Sequence, residues 1–109
     1  YREENYHKLT SSKADELIKE KSPLILDVRT PAEYTNGHLE NSVLLPVQVL
    51  QQKLPYLYPY KNKNILVYCA TGNRSTVASK MLIDAGFTRV FNLQHGIHDW
   101  VKKGYPLTQ

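Results

Sequence analysis

Cys69 is the only cysteine in this 109-residue chain. A single thiol excludes an intramolecular disulfide and a structural zinc site of the usual multi-thiolate kind. Long apolar runs are missing as well. None approaches the ~20 residues that a membrane-spanning helix needs. The longest, Leu24-Ile25-Leu26 and Ile65-Leu66-Val67-Tyr68, have the length of strands, so a membrane is not an expected partner. Acidic residues are absent between Glu40 and Asp84, an interval that holds Lys53, Lys61, Lys63, Arg74 and Lys80. That interval carries more than the whole chain's net charge of +4, so a site built within it favours anions. Its cations are nevertheless scattered, with no Lys/Arg-dense run and no aromatic-interleaved ladder, and nucleic acid is not an expected partner either.

Repeats, low-complexity segments and linkers are also lacking. The length suits one domain, expected to span residues 1–109. A hydrophobic share of 41% with 22% charged residues is ordinary for a folded globular chain. The first residue is Tyr1 rather than Met, and a processed or trimmed chain is the expectation. The expected compartment is therefore the cytoplasm, or the periplasm if an N-terminal signal segment has been removed.

Strand and helix signals alternate along the chain. A short strand is expected over Tyr6 to Leu9. Thr10, Ser11 and Ser12 offer helix caps before the helix formers Ala14 to Lys19. Leu24 to Val28 is nearly continuous apolar sequence, as in a strand covered on both faces. Thr30 to Tyr34 reads as a short helix with Pro31 in its first turn, closed by Asn36-Gly37. Val43 to Leu45 is a strand stopped by Pro46, and Val47 to Leu54 a helix ended by Pro55. Tyr56 to Asn64 is a tyrosine-rich loop, read as amphipathic surface packing. Ile65 to Cys69 is a second buried strand. Ser75 to Ala85 is a helix with Val77, Ala78, Met81 and Leu82 on its apolar face and Gly86 as cap. Val90 to Leu93 is the last strand, and Ile97 to Lys102 the last helix, stopped by Gly104. Such alternation implies a mainly parallel sheet with helices on both faces, and a site at the carboxyl ends of the strands.

Cys69 stands at such an end. It opens the loop Cys69-Ala70-Thr71-Gly72-Asn73-Arg74-Ser75, and a helix follows at once. Gly72 reaches backbone conformations closed to other residues, and Asn73 tolerates left-handed geometry. A loop of this kind can turn successive N–H groups inward to make an anion nest. The helix N-terminus adds unpaired N–H groups and a positive dipole end, and Arg74 adds a charge. Cysteines so placed have pKa values lowered from ~8.5 to ~3.5–7.5, and the thiolate is the nucleophile. The plain alternative is an ordinary strand–turn–helix with a buried cysteine. The Gly-x-x-x-x-Gly-Lys-Ser/Thr pattern of a nucleotide-binding loop is absent.

Two stretches resemble the rhodanese family. One is Asp27-Val28-Arg29-Thr30-Pro31-Ala32-Glu33-Tyr34 with Gly37-His38-Leu39 and Asn41 to Pro46. The other is the Cys69 to Ser75 loop. Gly86-Phe87 and Gly96 with Trp100 extend the match to about Tyr6 through Leu107, the expected core of the domain. The resemblance implies an α/β three-layer sandwich around a five-stranded, mainly parallel sheet. It also implies a persulfide intermediate on Cys69, with the amides from Ala70 through Ser75 binding the transferred sulfur or its anionic donor. Asp27, Arg29 and Glu33 are read as a network supporting the site from below. The implied activity is sulfurtransfer from thiosulfate, a persulfide or a polysulfide to cyanide or a thiol. Its partners would be small anionic sulfur donors and thiol acceptors, a thioredoxin-like protein among them. No metal or organic cofactor is implied, and a monomer or weak dimer is expected. One departure stands out: His95 occupies the first position of the family's usual Gly-Gly pair. His38, His95 and His98 do not make a metal set. The alternatives are a phosphatase or arsenate reductase of the same fold, and a non-catalytic binding module. Arg74 follows Cys69 as Cys-x4-Arg, whereas the related phosphatases use Cys-x5-Arg; the shorter ring suits a sulfur atom better than a phosphoryl group.

Overall fold

The computed structural model describes residues 6–109. Five strands form a single sheet: β1 (His7–Leu9), β2 (Leu24–Asp27), β3 (Ser42–Leu44), β4 (Ile65–Tyr68) and β5 (Val90–Leu93). Their order is β1-β5-β4-β2-β3, and every neighbouring pair runs parallel. The helices are α1 (Ser11–Lys21), α2 (Pro31–Thr35), α3 (Val47–Leu57), α4 (Asn73–Asp84) and α5 (Gly96–Lys102), with a short 3-10 helix at Tyr58–Tyr60 after α3. The expected α/β sandwich is thus present, and its sheet is wholly parallel.

The two-residue period of strands decides which layer each side chain joins. Ile65, Val67 and Cys69 point into a core shared with Leu50, Leu54 and Leu57 of α3 and Ala78, Leu82 and Ile83 of α4. Leu66 and Tyr68 point the other way, among Ala14 of α1 and Ile97 and Trp100 of α5. All four residues of β4 are buried, as a central strand of a covered parallel sheet requires. This strand delivers Cys69 to the carboxyl edge of the sheet, where its main chain meets the start of α5: Ile97 N–H donates to the Cys69 carbonyl at 2.9 Å and His98 N–H to the Ala70 carbonyl at 3.1 Å.

Three local expectations need correction. The third helix does not stop at Pro55 but continues to Leu57. Proline removes one backbone bond from this last turn, but buried Leu54 and Leu57 hold the turn on the core. The fourth helix starts at Asn73, two residues early, so Asn73 is helical rather than left-handed; the positive φ of +109° falls on Gly72 alone. Its apolar face is also rotated. Val77 is exposed, and Ser75, Ala78, Ser79, Leu82 and Ile83 are inward. Two small serines let the helix approach the sheet closely, a feature that counting apolar side chains overlooks.

Beneath the carboxyl edge lies a buried polar cluster. Tyr68 donates its hydroxyl to Asp27 Oδ2 at 2.7 Å and accepts from the Leu39 N–H at 3.0 Å. Arg29 grips the same carboxylate through Nε at 2.9 Å and Nη2 at 2.7 Å, and reaches the Gly37 carbonyl at 2.8 Å. Replacing Tyr68 with Phe leaves the buried Leu39 N–H without its partner and removes one donor from Asp27 Oδ2, which keeps Arg29. The expected loss is ~1–3 kcal/mol of unfolding free energy, read from urea denaturation; an unchanged midpoint would show that the cluster does not bear on stability.

Candidate active site

The loop after β4 closes around its own cysteine. Gly72 N–H donates to Cys69 Sγ at 3.1 Å and Ser75 N–H at 3.3 Å, while Ser75 Oγ lies 3.5 Å from the sulfur. Cys69 is only 1% exposed, with the apolar layer on one side of it and these donors on the other. Burial pushes the thiol pKa up, but the Ser75 hydroxyl and the N–H groups of Ser75, Gly72 and Thr71 pull it down further, leaving it below the ordinary thiol value. Hydrogen bonds that favour the charged form therefore outweigh desolvation. When the thiol is protonated it can donate to Ser75 Oγ, whose own proton points to the Gly72 carbonyl at 3.3 Å. On ionisation that hydroxyl can turn to the sulfur, because the Gly72 carbonyl keeps the N–H and hydroxyl of Thr76, at 3.2 and 2.7 Å.

Close backbone contacts fix the loop's shape. A Cβ on Gly72 would lie 2.2 Å from the Gln94 carbonyl oxygen. One on Gly96, where φ is +73°, would lie 2.2 Å from the Ala70 carbonyl oxygen. His95, the departure from the Gly-Gly pair, sits just before α5 with φ at −107°, a conformation open to any residue. The turn survives because only the second position of the pair needs glycine. A further prop comes from β5: the buried Asn92 donates from Nδ2 to Thr76 Oγ1 at 3.3 Å, and Thr76 in turn holds the Gly72 carbonyl.

Arg74 does not stand free over the loop. Its guanidinium makes a two-pronged ion pair with Glu33, Nη1 to Oε1 at 2.8 Å and Nη2 to Oε2 at 3.0 Å. Glu33 is held there because it also closes a capping box at the start of α2, accepting from the Thr30 N–H at 3.1 Å while its own N–H donates to Thr30 Oγ1. The expected trio of Asp27, Arg29 and Glu33 is therefore two separate pairs. Asp27 with Arg29 is buried beneath the site, and Glu33 with Arg74 is half-exposed beside it. The bond from Arg74 holds the Glu33 carboxyl at about 2, against an ordinary 4.5. Ala70, Thr71 and Asn73 place no side-chain atom in hydrogen bonds with the sulfur; Thr71 acts through its amide, and Ala70 lines an adjoining groove.

Nothing in the sequence marks Thr76 as part of the site. Asn92 does carry a signal: an amide interrupting Val90-Phe91-Asn92-Leu93 at a buried strand position needs a polar partner. Among the described residues no group of three His, Cys, Asp or Glu side chains converges as a metal site.

The rhodanese-like domain family model matches residues 10–103. A tRNA uridine(34) hydroxylase of Yersinia enterocolitica is 33% identical over 93% of this chain, but the chain spans only 31% of that relative's length. Among solved structures, a rhodanese-related protein of Thermoplasma volcanium superposes with a TM-score of 0.84 at 34% identity, covering 94% of this chain and 98% of that one. A Rhodopseudomonas palustris protein described as a possible tyrosine phosphatase gives 0.85 at 28% identity, covering 94% and 85%.

Two measurements check this geometry. Gly104 and Gly96 both have positive φ, but a Cβ on Gly104 meets nothing within 4 Å. Gly104→Ala should cost only the ~1–2 kcal/mol of left-handed strain, and Gly96→Ala clearly more in the same denaturation assay. Equal losses would mean that the contact with Ala70 is unimportant. Glu33 has a lowered folded-state pKa, so its contribution to stability is complete above 4.5 and lost as pH falls towards about 2. The melting-temperature gap between the wild type and Glu33→Gln should shrink through that window; a gap independent of pH would contradict the ion pair's role.

Proposed function

The chain belongs to the rhodanese-like domain family, and from that premise we propose that it is a sulfurtransferase that carries sulfane sulfur on Cys69. The observation that carries this reading is the pair of main-chain N–H groups, from Gly72 and Ser75, aimed at Sγ. They stabilise the thiolate that attacks, and they suit a terminal sulfur anion after transfer.

The cycle consists of two displacements. The Cys69 thiolate attacks the outer sulfur of thiosulfate or of an organic persulfide, forming an S–S bond as the donor's own S–S bond breaks and sulfite or a thiolate leaves. Cyanide or a thiol then attacks the terminal sulfur and restores the thiolate, so that kinetics are ping-pong. No net oxidant or reductant is consumed. The tRNA hydroxylation in the name of the Yersinia protein belongs to a polypeptide of which this chain matches 31%, and it forms no part of this reading.

The likeness to a possible tyrosine phosphatase supports a second reading, phosphate-ester hydrolysis. The ring of four residues between Cys69 and Arg74 and the commitment of Arg74 to Glu33 weigh against it, since a phosphoryl group needs a wider cradle and a free guanidinium. The test is intact mass spectrometry. Incubation with a sulfane donor should add one sulfur atom to the wild type, cyanide should remove it as thiocyanate, and Cys69→Ser should take up none. Hydrolysis of an aryl phosphate without sulfur uptake would reverse the assignment.

A further inference from the structure

A groove of about 400 Å³ opens beside the reactive loop, between α2, α5 and the C-terminal tail. Ala70, the residue after Cys69, lines one end of it. Ile97 and Val101 of α5 and Leu107 of the tail supply most of the remaining apolar wall, with Arg29, Glu33 and His98 at the polar margin. The wall is built in. Trp100 Nε1–H donates to the Pro106 carbonyl at 2.9 Å, and Thr108 and His38 exchange main-chain hydrogen bonds at 2.8 and 2.9 Å, which clamps the tail across the groove. Val101 remains 50% exposed and Leu107 39% exposed within this fixed frame.

The charges around the groove are already answered. Arg29 is committed to Asp27 and the Gly37 carbonyl, and the Glu33 carboxylate to Arg74. Of the groove's lining residues, Arg29 is the one with a permanent positive charge, so the lining offers no uncompensated Arg or Lys to a dianion such as thiosulfate. A small anion would also leave most of the space unfilled, whereas ~300–1,000 Å³ with apolar walls and a few polar groups is the form of an organic-ligand site.

We propose that this groove seats the apolar body of a low-molecular-weight organic persulfide, placing its outer sulfur at the Cys69 loop, and that such donors are used in preference to thiosulfate. The inference rests on the sulfurtransferase reading. The Cys69 thiolate takes the outer sulfur of R–S–SH, an S–S bond to Cys69 forms, the donor's S–S bond breaks, and R–S⁻ leaves with the electron pair while the proton stays on the transferred sulfur. The R group gains from burial against Ile97, Val101 and Leu107.

The test uses the full chain and a series of straight-chain alkyl persulfides, methyl to hexyl, with thiosulfate alongside. Single-turnover sulfur uptake is read by intact mass, and each rate is normalised to that donor's reactivity toward a free thiol. The second-order rate should rise by up to about fourfold per added methylene until the groove is filled, and the hexyl donor should exceed thiosulfate. Val101→Asp and Leu107→Ser should each flatten the series, and Val77→Ser, on the outward face of α4, should preserve it. A series flat in chain length for the wild type, or thiosulfate matching the hexyl donor, overturns the inference while leaving Cys69 as sulfur carrier. Absence of sulfur uptake from every donor overturns the sulfurtransferase reading itself.

Discussion

Two main-chain N–H groups directed at one sulfur atom are the constraint on which this structure turns. Gly72 and Ser75 can reach Sγ only if the loop bends back within a few residues of β4 and α4 starts at once. The Ser75 hydroxyl is the one side-chain donor that joins them. The backbone supplies the other donors, and most of the surrounding sequence serves to hold that backbone in place. An amide cradle needs no reorganisation when charge develops on the sulfur, which is why such a preformed arrangement is effective.

The supports come from three directions. From the side, glycines at 72 and 96 allow carbonyls of neighbouring segments to approach where any Cβ would collide. From β5, Asn92 steadies Thr76, and Thr76 steadies the Gly72 carbonyl. From below, Tyr68 and Arg29 saturate the Asp27 carboxylate at the carboxyl end of β2. The two arginines near the site are both neutralised by carboxylates, and the groups that favour the thiolate are the Ser75 hydroxyl and the oriented amides of the loop. Recognition of a donor then falls to shape and apolar contact, which is consistent with the groove beside Ala70.

Much of this arrangement was legible in the sequence. The continuous apolar runs at Leu24 and Ile65 mark covered strands, and the strand–Cys69–Gly72–helix pattern locates the reactive loop. Pairing was harder to read. Glu33 stands four positions from Arg29 in sequence, which groups the two, but the capping box with Thr30 turns its carboxylate toward Arg74, a partner 41 positions away. The rotation of α4 escaped for a different reason: Ser75 and Ser79 are buried for their small size, and pattern reading rewards hydrophobicity instead. The tolerance of His95 became visible only when φ values distinguished it from Gly96. In each case a contact between distant segments decides the outcome, and one-dimensional spacing does not encode it.

The most direct test of the cradle is the titration of Cys69 itself, followed by the pH dependence of its alkylation by iodoacetamide. As the only cysteine it reports without interference. Inward-facing amides and the Ser75 hydroxyl predict a midpoint below the ~8.5 of an unperturbed thiol. A midpoint at or above that value would mean that burial outweighs the N–H donors, and the account of Cys69 as a perch for anionic sulfur would be wrong.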